Sequence, residues 1–311
     1  MKGWVASLRC MLDRTMRPAP SLFATVVLTA LPMFAQTPQP KPELLLFHPP
    51  APLSYDVATI KPIDPSTAAG MIRLPPGMTV SPLSVRRYIM DAYAAVYPAQ
   101  VIGGPDWLEK DAYNIKGKPS GEIEAAQQTM TTQDRSNQER SMKQSLLAER
   151  FHLKAHFESR VLPVYELVPA KVGLKITEVP APPERKPGDF PIRMRPGDAL
   201  PPGSMMTMMN STGLRVINGH AVKMDSLART ISFSGATELA DRPIVNHTGF
   251  SGYFDIKDLT WAPLGDASAT NAPDAPSLSG ALEQTLGIKL FPAKDPIEVL
   301  VIDSIDRPSP D

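Results

Sequence analysis

Apolar residues recur along this chain with two alternating periods, and much the same succession is read twice. Ser54–Lys61 alternates and is rich in β-formers, which predicts a strand. Ile72-Arg73-Leu74 is followed by a Pro75-Pro76-Gly77 turn, and Arg215-Val216-Ile217 by Asn218-Gly219, a strong hairpin signal. The period then changes. Val85, Tyr88, Ile89, Ala92, Tyr93 and Val96 form one apolar helical face, with Ser81-Pro82 as its expected start. In the second copy Asp225 is the expected cap, and Ser232, Ser234 and Gly235 predict a shorter or frayed helix. Short strands follow at Gln100–Ile102 and Tyr113–Ile115, matched by Pro243–Val245 and Tyr253–Ile256. A second helix is marked by Met142, Leu146, Leu147 and Phe151, after a polar lead-in at 119–140. Its counterpart is marked by Leu278, Ala281, Leu282, Thr285 and Leu286 and stopped by Gly287. Each copy closes on an expected strand pair: 152–158 with 164–168, and 288–291 with 297–302.

The copies lie about 142 residues apart. Ile72–Val80 aligns with Leu214–Val222, and the register runs without a gap through Val85/Leu227, Ile89/Ile231 and Ile102/Ile244. One deletion later, Tyr113-Asn114-Ile115-Lys116 faces Phe254-Asp255-Ile256-Lys257. A repeat this long implies two copies of a domain. The expected fold is α+β: two related modules, 54–171 and 212–308, each a small mixed or antiparallel sheet with two helices in the order ββαββαββ. An irregular Pro/Met-rich linker, 172–211, is expected to join them.

The chain's start changes the picture. Arg14 and Arg17 precede the apolar run Leu22–Leu31, which is too short to span a bilayer, and Met33-Phe34-Ala35 offers a cleavage point. Residues 1–36 are therefore expected to be a secretory signal, with 1–15 an extension ahead of a better start at Met16. A Pro-rich linker follows at 37–53. The protein is expected to be exported, periplasmic or extracellular, with no transmembrane segment after signal removal. Cys10 is the single cysteine and lies inside the signal, so no disulfide, thiolate metal site or Cys nucleophile is expected. The chain is neutral, with 32 basic and 32 acidic residues; residues 36–311 hold 28 and 31, a net of −3. That charge excludes a nucleic-acid footprint.

Ser54–Pro62, Gly103-Gly104-Pro105-Asp106-Trp107, Leu146–Phe151, Leu162–Leu167, Asp241–Val245, Thr248–Asp255 and Pro296–Pro308 together resemble a large uncharacterised family of exported proteins. That family is a domain of unknown function expanded in acidobacterial soil bacteria. The resemblance implies export and transfers no catalytic residue. Some members are fused to membrane-bound antibiotic-sensor peptidases, a part not expected in this chain. The modules also resemble the short N-terminal domain of secretins and TonB-dependent receptors, which implies a small protein-interaction domain.

Candidate chemistry is sparse. His152 and His156 have metal-like spacing, but they sit in an alternating stretch and are expected on one polar strand face. No serine lies in Gly-x-Ser-x-Gly or Ser-x-x-Lys, and no phosphate loop occurs. Asp303 and Asp306 are expected to be solvated. Met194, Met205, Met206, Met208 and Met209 cluster in the linker as soft ligands for copper, or as a flexible apolar loop. Trp107, Phe250 and Tyr253 lie in Gly-rich turns and are the candidate interaction residues; the alternative is that they cap the sheets. No cofactor and no metal is expected. The leading reading is a non-enzymatic module that binds an envelope protein or peptide, with strand addition as an available mode. The alternatives are a small-ligand or envelope-stress sensor, and a hydrolase with its site between the modules.

Overall fold

The computed structural model describes residues 43–63, 79–183, 199–234, 239, 242–263 and 275–308. The expected signal, the Pro75-Pro76-Gly77 turn and Met194 lie outside them. The chain divides into two compact units, Met1–Gln39 and Pro40–Asp311, and all the described residues belong to the second. Its elements are β1 (Val57–Ile63), β2 (Thr79–Ser84), α1 (Val85–Ala92), β3 (Val101–Gly103), α2 (Trp107–Lys110), β4 (Ala112–Lys118), α3 (Gly121–Gln127), α4 (Thr132–Arg150) and β5 (Lys154–Pro169). After these come β6 (Glu178–Val179), β7 (Ser204–Met209), β8 (Arg215–Val222), α5 (Met224–Phe233), β9 (Ile244–Asn246), β10 (Tyr253–Trp261), α6 (Leu278–Ala281) and β11 (Ile288–Ser304). The class is α+β. No helix among the described residues is long and apolar enough to cross a membrane.

Three sheets organise these strands, in the orders β1-β4-β2, β6-β10-β8-β7 and β3-β11-β5-β9. The third departs from the expectation that each module would carry its own sheet. The long strands β5 and β11 run antiparallel at its centre, from Ile288↔Pro169 to Ser304↔Lys154. Beside β11 lies β3, parallel, from the other half of the chain; beside β5 lies β9, likewise from the other half. Each half thus lends its short strand to the other half's long one.

The expected strand pairs 152–158/164–168 and 288–291/297–302 are instead one continuous strand each. No Gly or Asn supplies φ > 0 between their members, so no tight hairpin forms. The prolines within them remove no ladder bond. Glu43 N–H donates to the Pro296 carbonyl at 2.7 Å, which turns Pro296, and Pro292 four residues earlier, away from β5. Tyr165 N–H donates to the Pro243 carbonyl at 2.8 Å, which turns Pro163 away from β11 in the same way. Proline is tolerated where its missing N–H faces an edge.

Strand alternation splits the core. One face of the central sheet carries Phe157, Leu300 and Ile302 against α1 and α4, and Leu167, Ile288 and Leu290 against α5 and α6. The opposite face carries a separate cluster of Val164, Val245, Ile297 and Val299. The repeat register slips here. Val101 shares the helix-covered side with Ile244, while Ile102 packs with Val245 on the opposite face. The gap-free match of Ile102 to Ile244 is therefore off by one residue, which in a strand means the wrong face.

Helix ends follow local chemistry. Ser84, not Ser81, caps α1, its Oγ accepting from Arg87 N–H at 3.3 Å, while Ser81-Pro82 lies in β2. The first half's second helix starts at Thr132, inside the expected polar lead-in. Its cap is Thr131, whose Oγ1 accepts from Asp134 N–H at 3.1 Å. The second-copy helix α5 is longer than α1, against expectation, and Asp225 lies inside its first turn. Ser232 does not break it, its hydroxyl donating to the Ala228 carbonyl at 2.8 Å; the helix ends at Phe233, and Ser234 caps it, its hydroxyl donating to the Ile231 carbonyl at 2.8 Å. After α6 the helix widens into a π turn, Leu282–Leu286, and stops at Gly287 with φ +71°. Part of the expected irregular linker is also ordered: Ser204–Met209 is a strand antiparallel to β8.

Candidate functional site

Residues 43–48, expected as linker, are docked. Glu43 bridges Ile297 on the outer side of β11. Leu46 N–H donates to Glu298 Oε2 at 2.6 Å, and Phe47 N–H to the Tyr93 carbonyl at 2.8 Å. Gln100 is fully buried; its Nε2 donates to the Leu44 carbonyl at 2.8 Å while its Oε1 accepts from Val96 N–H at 2.9 Å. These contacts read the backbone of the segment, which bends at Leu44 with φ +52°, rather than its side chains. Leu45 still points outward, 53 % exposed.

That segment walls a cleft of about 890 Å³ between the two halves. The other walls are the C-terminal end of α1, the N-terminal half of α4, and α5 with β9. Apolar Met90, Val96, Tyr97 and Ile244 line it beside Arg87, Arg140 and Arg229. Tyr97 ties the halves together, its hydroxyl 2.5 Å from Ser232 Oγ and donating to the Ile244 carbonyl at 3.3 Å. Burial raises its pKa. Asp91 on the rim is neutralised by Lys143 at 2.6 Å, and Lys143 also meets Glu139 at 2.6 Å. Asp225 accepts from Asn246 Nδ2 at 3.1 Å. Among the described residues neither Arg140 nor Arg229 pairs with a carboxylate; Arg140 donates to Asn137 at 3.0 Å.

The aromatics singled out from sequence are not gathered into one site. Trp107 begins α2, partly buried, with the Arg307 guanidinium 5.0 Å from its ring centre. Phe250 packs on the other core, edge-on to Phe254 at 6.1 Å. Tyr253 opens β10, with Lys223 Nζ 5.3 Å from its ring, beside a groove of about 270 Å³ flanked by Pro182 and Pro202. The methionines of β7 alternate, so Met205 and Met209 share one face and Met206 and Met208 the other. Met205 packs on the core, so the four do not converge as one ligand set.

Every histidine has a carboxylate nearby. His48 meets Glu298 at 3.1 Å, His152 meets Asp306 at 3.3 Å, and His156 meets Asp303 at 3.0 Å. His152, expected in a strand, precedes β5 with φ +49°. His220 on β8 meets Asp255 on β10 at 2.7 Å, a part-buried pair outside the cleft lining. The Ala221 N–H and then His220 hold the Asp255 carboxyl below its ordinary pKa. His247 lies between Glu166 at 3.4 Å and Asp295 at 3.9 Å.

Sequence reasoning missed the cleft. Its arginines come from three different helices, and its docked segment looks like a linker because Pro42 and Pro49 flank it. No curated protein and no solved structure matches the chain. The family described as "Protein of unknown function (DUF3738)" matches residues 86–305, well over half of the chain, and the protein belongs to that family.

Proposed function

We propose that this is an exported peptide- or protein-binding module of the cell envelope, and that the cleft between its halves holds an extended segment of the partner. One observation carries the reading: the cleft wall already holds a peptide segment, residues 43–48, bent at Leu44, through hydrogen bonds between its backbone and Gln100, Glu298 and the Tyr93 carbonyl. A partner segment laid beside it meets apolar Met90, Val96 and Ile244 below and the Arg140 and Arg229 guanidiniums at the rim. Such a mix of an apolar floor with a few orienting polar groups suits recognition more than bulk adhesion. Strand addition at the central sheet has less support, because Pro163, Pro292 and Pro296 face its outer edges. Export is supported by the basic, apolar and small-residue succession at the chain's start.

Titrating the full chain with fluorescent peptide pools sorted by charge tests the binding reading. Saturable binding is expected, strongest for peptides carrying carboxylates, and weakened about tenfold, or roughly 1.4 kcal/mol, in an Arg140→Ala/Arg229→Ala double variant. Binding that ignores both arginines, or turnover of a substrate in the absence of peptide binding, rejects it. Fractionation of producing cells, with N-terminal sequencing of the product, tests export; a cytoplasmic, uncleaved product rejects that part.

A further inference from the structure

The face of the central sheet opposite the helices carries an arrangement that the cleft does not use. Alternation along β5 puts Leu162, Val164 and Glu166 on this face, and pairing with β11 puts Asp295, opposite Leu162, on it too. β9 contributes Val245 to the same face, and two residues later His247 follows. Glu166 of β5, Asp295 of β11 and His247 just after β9 are thus brought together, with ligand atoms all within 4.8 Å of one another. Val164, Val245 and Ile297, all buried, lie on the same face as an apolar surround. The His247 backbone is held in place: its main-chain N–H donates to the Leu167 carbonyl at 2.9 Å, and the next turn is locked by Asn246 Oδ1 accepting from the Thr248 N–H and hydroxyl at 3.1 and 2.7 Å.

Two features point to a cation. Asp295 Oδ2 has no accessible surface and no hydrogen-bond donor, a costly state for a charged oxygen. Among the described residues, His247 is also the one basic side chain within ion-pair distance of either carboxylate; no Lys or Arg reaches them. We propose that Glu166, His247 and Asp295 bind a divalent metal ion of the zinc class. One imidazole nitrogen and two carboxylates supply the ligands, and the remaining positions are open, since the His247 side chain is 36 % exposed. Imidazole with carboxylates suits zinc, manganese or nickel, whereas calcium demands six to eight hard oxygens. Three protein ligands with an open position is the arrangement of sites that hold a further ligand, not of closed structural sites.

Calorimetric titration of the full chain with ZnCl₂, and separately with CaCl₂, tests this. One zinc per chain is expected, with a rise in melting temperature, and no heat from calcium at matched concentration. His247→Gln and Asp295→Asn are each expected to raise the zinc Kd by about tenfold or more, the loss that even an outer partner of a metal ligand produces. His156→Gln, which alters another His–carboxylate pair, should leave that Kd unchanged. Circular dichroism of each variant without zinc controls for folding, and Glu166→Gln serves as a second probe if either fails to fold. Zinc bound equally well by the His247 and Asp295 variants, or lost equally in His156→Gln, overturns the site. So does the absence of zinc binding.

Discussion

Lys143 shows how a single charge is made tolerable inside this protein. Its side chain is 6 % exposed and lies between Asp91 of α1 and Glu139 of its own helix. Burial alone would lower its pKa, but the two carboxylates outweigh that and the net shift is upward. Lys143→Met should destabilise by about 1–3 kcal/mol in urea unfolding, below the usual cost of breaking a buried pair because the orphaned carboxylates are part-exposed. A raised lysine pKa means this contribution is complete below the unfolded value, about 10.4, and fades as the pH climbs through the folded value. Asp255 has the opposite sign. Its lowered pKa stabilises the fold above the unfolded value, about 3.9, and that advantage is lost as acid titrates the folded carboxyl. The stability gap between wild type and Asp255→Asn should therefore narrow in melts taken below about pH 4. Neither pairing is legible in the sequence, because Lys143 and Asp91, like His220 and Asp255, are brought together only by packing and strand pairing.

Elements are easier to read than their partners. Periodicity locates α1, α5 and α6, and Gly287 reads as a stop because a helix end needs a residue that accepts φ > 0. A Cβ there would also collide with the Gly173 carbonyl. Gly287→Ala is expected to cost at least about 2 kcal/mol, measured as a lower urea midpoint at unchanged m-value. The strands are less legible. Leu162-Pro163 and Pro292–Pro296 read as breaks because proline usually ends a strand, and only the pairing shows that these nitrogens face outward. The one-residue slip at Val101/Ile244 is hidden for a similar reason: two adjacent apolar residues fit either face until a partner strand fixes the register.

Across the whole molecule, the exchange of β3 and β9 decides how the protein unfolds. The central sheet draws strands from both halves, and Tyr97 inserts into the second half's core. Residues 43–308 should therefore melt in one cooperative transition by calorimetry, without a separate unfolding step for each half. A protease cut engineered between residues 184 and 198 should leave two fragments that co-elute on gel filtration and separate only in denaturant. Fragments that part under native conditions would contradict the interlock. The same exchange links chain length to assembly. A polypeptide encoding one such half would hold a long strand lacking its flanking neighbour and a short strand with nothing to flank. It could complete a four-stranded sheet by meeting an identical copy about a two-fold axis. In this fold, then, gene fusion and homodimerisation are alternative routes to the same interior.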